Sequence, residues 1–240
     1  MRMQSVIRAI YPAQCVSCGV QTESDFGLCG TCWRETQFIG GLICDKCGAP
    51  LPGEDNGELV HCDECMTIAR PWDHGRAGLI YTGIGRKLVL GLKHGDRTDL
   101  ARPAALWLAR IARPLVNERT VLVPVPLHWT RRVRRRYNQA ALITHALGRE
   151  IGATVCADAL IRTKKTKPLE GHSREQRFAA LADAIAPNPK RQQYIVDRPV
   201  LLIDDVMTSG ATLAASTEAL ISGGATNVSI LTLARVVKDA

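Results

Sequence analysis

Residues 200–216 read VLLIDDVMTSGATLAAS. Two carboxylates, Asp204 and Asp205, stand directly behind four apolar residues and directly ahead of a turn of small residues. Adjacent carboxylates repel each other and resist burial, so a pair at the end of an apolar run suits a cation or sugar hydroxyls better than a core. The turn Met207-Thr208-Ser209-Gly210 then leads into a segment of helical spacing that starts near Ala211. N–H groups at a helix start, flanked by Thr and Ser hydroxyls, make an anion cradle, and a glycine there lets the backbone approach a phosphate. The stretch offers acceptors for hydroxyls or a metal and, a few residues on, donors for a phosphate. A sugar phosphate presents both.

The second chemical signature is sulfur. Eight of the nine cysteines form four Cys-x-x-Cys pairs: Cys15/Cys18, Cys29/Cys32, Cys44/Cys47 and Cys62/Cys65. Two neighbouring pairs supply four thiolates, the ligand set of a structural zinc site. Pairing in sequence order closes the shortest loops and predicts one ion on Cys15, Cys18, Cys29 and Cys32 and a second on Cys44, Cys47, Cys62 and Cys65; an interleaved cross-brace is the lesser alternative. Four thiolates leave no open coordination position, so the expected role of both ions is structural. Disulfides suit exported chains, and the N-terminus MRMQSVIRAIYPAQC lacks the apolar core of a signal peptide. His61 reads as a solvated loop residue and Cys156 as a small core residue.

The elements that must position these groups fall into two parts. Residues 1–70 carry five basic and nine acidic side chains, net −4, and all eight paired cysteines; residues 71–240 carry 26 basic and 14 acidic side chains, net +12. We expect a double zinc ribbon over 1–70, joined through IARPWDHG (68–75) to an α/β domain over 71–240. Residues 1–14 have the spacing of a short amphipathic helix. In the back part, strand patterns at 77–83, 120–126, 158–164, 198–206 and 227–236 alternate with helical patterns at 84–95, 100–116, 138–152 and 211–225. Residues 174–185 read as a short helix or turn leading into a further strand. Alternation of this kind predicts a parallel sheet with helices on both faces, with ligands at the carboxyl ends of its strands.

The composition, 46% hydrophobic and 22% charged, is that of a globular protein. No run approaches the ~20 apolar residues of a membrane span, and the cytoplasm is the expected compartment. The basic back part predicts polyanionic partners. An acidic pair after an apolar strand also occurs in ATPases, but these need a Gly-Lys-Ser/Thr loop, and the chain has none. Arg131, Arg132, Arg134, Arg135 and Arg136 follow VPVP (123–126), and Lys93 lies in LKHGD (92–96). Each is a candidate for holding diphosphate, with a solvated basic face or a snorkelling lysine as the plain alternative. Asn138 is placed to cap a helix, and Tyr137 and Trp129 suit either base stacking or core packing.

Residues 200–212 resemble the phosphoribosyl diphosphate (PRPP) motif of type I phosphoribosyltransferases. The resemblance implies that Asp204 and Asp205 hold the ribose 2′ and 3′ hydroxyls, with Mg²⁺. It implies that Val206, Met207, Thr208, Ser209, Gly210, Ala211 and Thr212 form the 5′-phosphate loop. With four Cys-x-x-Cys pairs ahead of this motif, and with LKHGD, VPVPLHWTRRVRRRYNQ (123–139) and RTKKTKPLEGHSREQR (162–177) in order, nearly the whole chain resembles the ComF family of late-competence, amidophosphoribosyltransferase-like proteins. That family implies a type I phosphoribosyltransferase fold behind a double zinc ribbon and a role in DNA uptake during natural transformation. It also suggests a PRPP-dependent transferase, or a non-catalytic scaffold that binds single-stranded DNA, with the ribbons contacting competence-machinery proteins. Thr208 occupies the position where purine-type members carry an acidic base, so a hypoxanthine- or guanine-type mechanism is not expected. Arg136 stands where a glycine is common before the aromatic residue, and TKPLEG departs from the usual glutamine pattern.

Overall fold

The computed structural model describes residues 12–23, 25, 27–127, 137–163, 176 and 184–237. Trp129, the run Arg131–Arg136, most of the 162–177 box and residues 1–11 of the expected N-terminal helix lie outside the described residues.

Strands β1 (Gly75–Ile80), β2 (Val121–Pro124), β3 (Thr154–Val155), β6 (Pro199–Met207) and β7 (Asn227–Arg235) form one five-stranded sheet in the order β1-β7-β6-β2-β3. Every pairing in it is parallel. Strands β4 (Leu160–Arg162) and β5 (Ile185–Pro187) make a separate antiparallel pair. Because side chains alternate along a strand, a sheet covered on both faces needs apolar residues at consecutive positions. VLLI (200–203) satisfies this: Val200 and Leu202 face one side with Val121, Val123, Val228 and Ile230, while Leu201 and Ile203 face the other with Leu122, Leu231 and Leu233.

The second face is covered by α3 (Gly83–His94), α4 (Ala101–Ala112) and α5 (Gln139–Ile151), through Leu88, Leu92, Leu108, Ile143 and Leu147. Asn138 caps α5 by accepting from the Ala141 amide, and Gly152 ends it in the left-handed region, as a C-cap glycine does. The first face is covered by α6 (Ala211–Ser222) together with Cys44, Cys47, Cys65 and Trp72. The cysteine-rich part is therefore packed into the sheet's own core.

Two further contacts join the parts. Residues 37–39 pair antiparallel with β1, the Ile39 amide donating to Gly78 O and the Ile80 amide to Gln37 O, both at 2.9 Å. This covers an edge strand that would otherwise present open backbone groups. Trp33, Phe38 and Trp107 stack in series across the same seam, with ring centroids 4.4 and 5.7 Å apart.

The fold class is the expected one, with differences in detail. Segment 68–75, expected as a linker, is an interior element: Trp72 is 1% exposed and Arg70 8%. An indole is stable there because its N–H finds an acceptor, the Lys46 carbonyl. Strand β3 is too short to register as an apolar pattern. Strand β6 ends at Met207, one residue beyond the expected end, with β7 beside it through Met207↔Arg235.

Candidate functional site

The two cysteine quartets assemble in sequence order. In each, the four sulfurs lie within 4.8 Å of one another. Cys18 and Cys29 Sγ are 3.7 Å apart in the first, and Cys47 and Cys62 Sγ 3.6 Å apart in the second. A tetrahedral ion with bonds of about 2.3 Å needs sulfurs about 3.8 Å apart, so both sets fit zinc. The local structure has the knuckle form. The Cys32 amide donates to Cys29 Sγ at the start of α1 (Gly30–Glu35), and Cys62 leads into α2 (Asp63–Thr67). Gly48 closes the third knuckle at φ 68°, where a Cβ would lie 2.6 Å from the Ala77 amide. The second ribbon can seat against β1 only with glycine there. Hydrogen bonds among the sulfurs, Cys47 first, pull the Cys44 thiol down, and the bond from Cys44 pushes Cys65 up. The quartet thus holds four thiolates together only around a cation. His61 is exposed and belongs to neither quartet. Cys156 is 6% exposed, and burial pushes its thiol up.

The acidic pair lies at a switch point of the sheet. The chain passes from β2 through α5 outward to β3, and from β6 through α6 the opposite way to β7. The adjacent strands β2 and β6 therefore diverge beyond their carboxyl ends, which is where open α/β sheets bind ligands. The β2–β6 ladder ends at Pro124↔Ile203, with the Val125 amide on Ile203 O at 2.9 Å. Asp204 and Asp205 come next, bordered by strand on the β7 side only. Asp204 and residues 206–213 line a cleft there.

The two carboxylates differ. Asp205 is 7% exposed and pairs with Lys93 Nζ at 3.0 Å. Lys93 is thus held at the end of α3 as a counter-ion. Its neighbours are pinned too: Tyr137 Oη donates to Leu92 O at 2.9 Å, and Asn138 Nδ2 to Val125 O at 3.0 Å. Asp204 remains partly exposed, and its Oδ1 accepts from the Asp205 amide at 2.8 Å. Burial of its carboxyl, then the charge of Asp205, pushes Asp204 up to about 7. A carboxyl in that state gains from any ligand that brings hydroxyl donors or positive charge.

Beyond Met207, the turn Thr208-Ser209-Gly210 delivers the chain to α6. Gly210 has φ 82°, and a Cβ there would meet Arg70 Nη1 and Met207 Cε at 2.8 Å, so only glycine fits. Thr208 is exposed and Ser209 and Thr212 partly so, on the cleft side of a helix whose first amides have no intrahelical acceptor.

The motif search missed Arg70 and Arg235. Arg235 Nη1 donates to Thr208 O and Arg70 Nη1 to Ser209 O, both at 2.7 Å. They reach the loop from segments 139 and 27 residues away in sequence, and no local pattern announces either.

Residues 6–66 match the double zinc ribbon domain family. Over 219 residues the chain is 26% identical to the DNA utilization protein YhgH of Escherichia coli K12, covering 88% of this chain and 92% of that one. Over 224 residues it is 28% identical to competence protein F of Haemophilus influenzae, covering 92% and 90% of the two chains. The chain is similar to the competence protein F and DNA utilization proteins over most of its length. Among solved structures it is similar to the glutamine PRPP amidotransferase of B. subtilis, at 14% identity and a TM-score of 0.39. That match covers 60% of this chain but only 30% of the longer amidotransferase. No helix among the described residues is long and apolar enough to cross a membrane.

Proposed function

We propose that the cleft at residues 204–212 binds PRPP or a closely related sugar phosphate with Mg²⁺. The observation that supports this reading best is the placement, in one cleft at the sheet's switch point, of Asp204 and a glycine-cornered turn opening a helix, with Asp205 buried beside them. Asp204 is the hydroxyl-binding carboxylate. Asp205, paired with Lys93, fixes the orientation of Asp204 through its backbone amide. Val206, Met207, Thr208, Ser209, Gly210, Ala211 and Thr212 form the phosphate loop through backbone amides and the Thr and Ser hydroxyls. Mg²⁺ supplies charge neutralisation for the diphosphate. The matching reaction class is displacement of diphosphate at ribose C1 by a nitrogen nucleophile, driven by positioning and electrostatics. In thermal unfolding, PRPP with Mg²⁺ at a hundredfold its dissociation constant should add about 2.7 kcal/mol of stability. No shift at saturating PRPP would rule the reading out.

A second reading has its own support. The net +12 over residues 71–240 suits sequence-independent binding of single-stranded DNA, and the relatives' names refer to competence and DNA utilization. In this reading basic side chains of residues 71–240, with Arg131, Arg132, Arg134, Arg135 and Arg136 as the sequence candidates, contact DNA phosphates in the cytoplasm. The acidic ribbons instead contact competence-machinery proteins. Val20, Trp33, Leu59 and Met66, all at least half exposed, lie within residues 1–70, the unit we assign to the ribbons, with 71–240 as the α/β unit. Affinity for DNA that did not fall steeply with salt would exclude the electrostatic model.

A further inference from the structure

Behind the phosphate loop, on the side away from the cleft, two buried arginines connect it to the second cysteine quartet. Arg235 is 3% exposed and Arg70 8%. Both converge on Glu64 in α2, one residue before the ligand Cys65: Arg235 Nη2 lies 2.6 Å from Glu64 Oε2, and Arg70 Nη2 3.6 Å from it. Arg235 Nη2 is also 3.8 Å from Cys47 Sγ. Arg70 further packs over the Trp72 ring, 5.4 Å from its centroid. Nε of both arginines and Nη2 of Arg70 are buried without a hydrogen-bond acceptor among the described residues. A zinc ion with four thiolates carries a net charge of −2 and so supplies the missing compensation. With the thiols protonated and no ion, two buried guanidinium groups would share one carboxylate.

We propose that the second zinc ribbon is the positioning element of the phosphate loop, with Arg70 and Arg235 as the transmitting residues. The reason lies in peptide geometry. In a trans peptide, the carbonyl and the following N–H point in opposite directions, and the chain has no cis peptide among its described residues. Arg235 holds the Thr208 carbonyl and Arg70 the Ser209 carbonyl on the ribbon side. The amides of Ser209 and Gly210 are thereby aimed the opposite way, at the cleft, where an anion needs donors. The ribbon's dianionic quartet and Glu64 hold the arginines, the arginines hold the carbonyls, and the carbonyls fix the amides. This role deepens the PRPP reading and rests on it for its purpose, while the clamp itself is measurable without ligand.

The test is amide hydrogen exchange across residues 206–214 in the zinc-loaded full chain, with metal content measured on the same samples. Arg70→Met keeps the side-chain length and removes the bond to Ser209 O. The expected result is exchange about tenfold faster at Ala214, whose amide donates to Gly210 O at the corner of the loop, the loss of one charge-assisted hydrogen bond. Two zinc ions per chain and unchanged exchange in β7 should accompany it, with partial restoration in Arg70→Lys. Glu64→Gln, at a partly exposed position, should give the same change more weakly, and it decides the matter if Arg70→Met does not fold. Unaltered loop exchange in a folded, zinc-replete variant would overturn the proposal. Calorimetry with PRPP and Mg²⁺ forms a separate arm. If wild type binds, Arg70→Met should bind about tenfold more weakly, and equal affinity would count against the clamp. If wild type does not bind, the PRPP reading falls, and exchange still judges the clamp.

Discussion

Replacing Asp204 by asparagine should stabilise the protein above neutral pH while destroying its binding site. In the folded chain the Asp204 carboxyl is held at about 7, against an ordinary value of 3.8, by burial and by the charge of Asp205. The unfolded chain releases this proton near the ordinary value. Between the two values the folded state binds more protons, so stability is highest below about pH 4, falls as pH rises toward about 7, and is level above that. At about 1.4 kcal/mol per pH unit the full effect would be about 4 kcal/mol. Asparagine retains an oxygen for the Asp205 amide, now 2.8 Å from Oδ1, and has no charge to bury. Urea unfolding of zinc-loaded wild type and Asp204→Asn between pH 5 and 8 gives the comparison, with other titrating groups common to both. We expect the variant to gain on wild type by about 2–3 kcal/mol between pH 5 and pH 8, with about a third of the full effect already present at pH 5. A difference that does not change with pH, or a less stable variant at pH 8, would refute the reasoning. The expected pattern is that of a functional group kept at a cost in stability.

Three other outcomes follow from the same geometry. Lys93→Met leaves Asp205 buried without its partner and should lower stability by about 1–3 kcal/mol in urea unfolding; Lys93→Arg should recover part of it. Gly210→Ala places a methyl group 2.8 Å from Arg70 Nη1 at φ 82° and should cost about 1–3 kcal/mol, with PRPP binding lost; a variant of wild-type stability and affinity would contradict the account of the turn. Metal analysis should return about two zinc ions per chain, and Cys44→Ser should leave about one and disturb the sheet core as well as the ribbon, because Cys44 packs in that core.

Much of this arrangement was legible in the sequence because its signals are local. Cys-x-x-Cys spacing defines both quartets within 51 residues, and an apolar run, an acidic pair and a small-residue turn define a strand, an edge and a helix start. What escaped is non-local. Arg70 and Arg235 act on a loop they meet only after folding, and nothing around them differs from an ordinary basic surface residue. The ion pair of Lys93 with Asp205 joins α3 to β6 and is equally non-local. IARPWDHG reads as a linker from its proline and polar residues, yet Trp72 and Arg70 place it in the core, where the sheet needs cover that α6 alone does not give.

The central claim is that residues 204–212 form a ribose-phosphate site. Titration calorimetry of PRPP with Mg²⁺ into the zinc-loaded chain and into the double variant Asp204→Ala, Asp205→Ala tests it most directly. The account predicts saturable one-to-one binding to the wild-type chain and none to the folded, zinc-replete double variant. Binding of equal strength to both would contradict it.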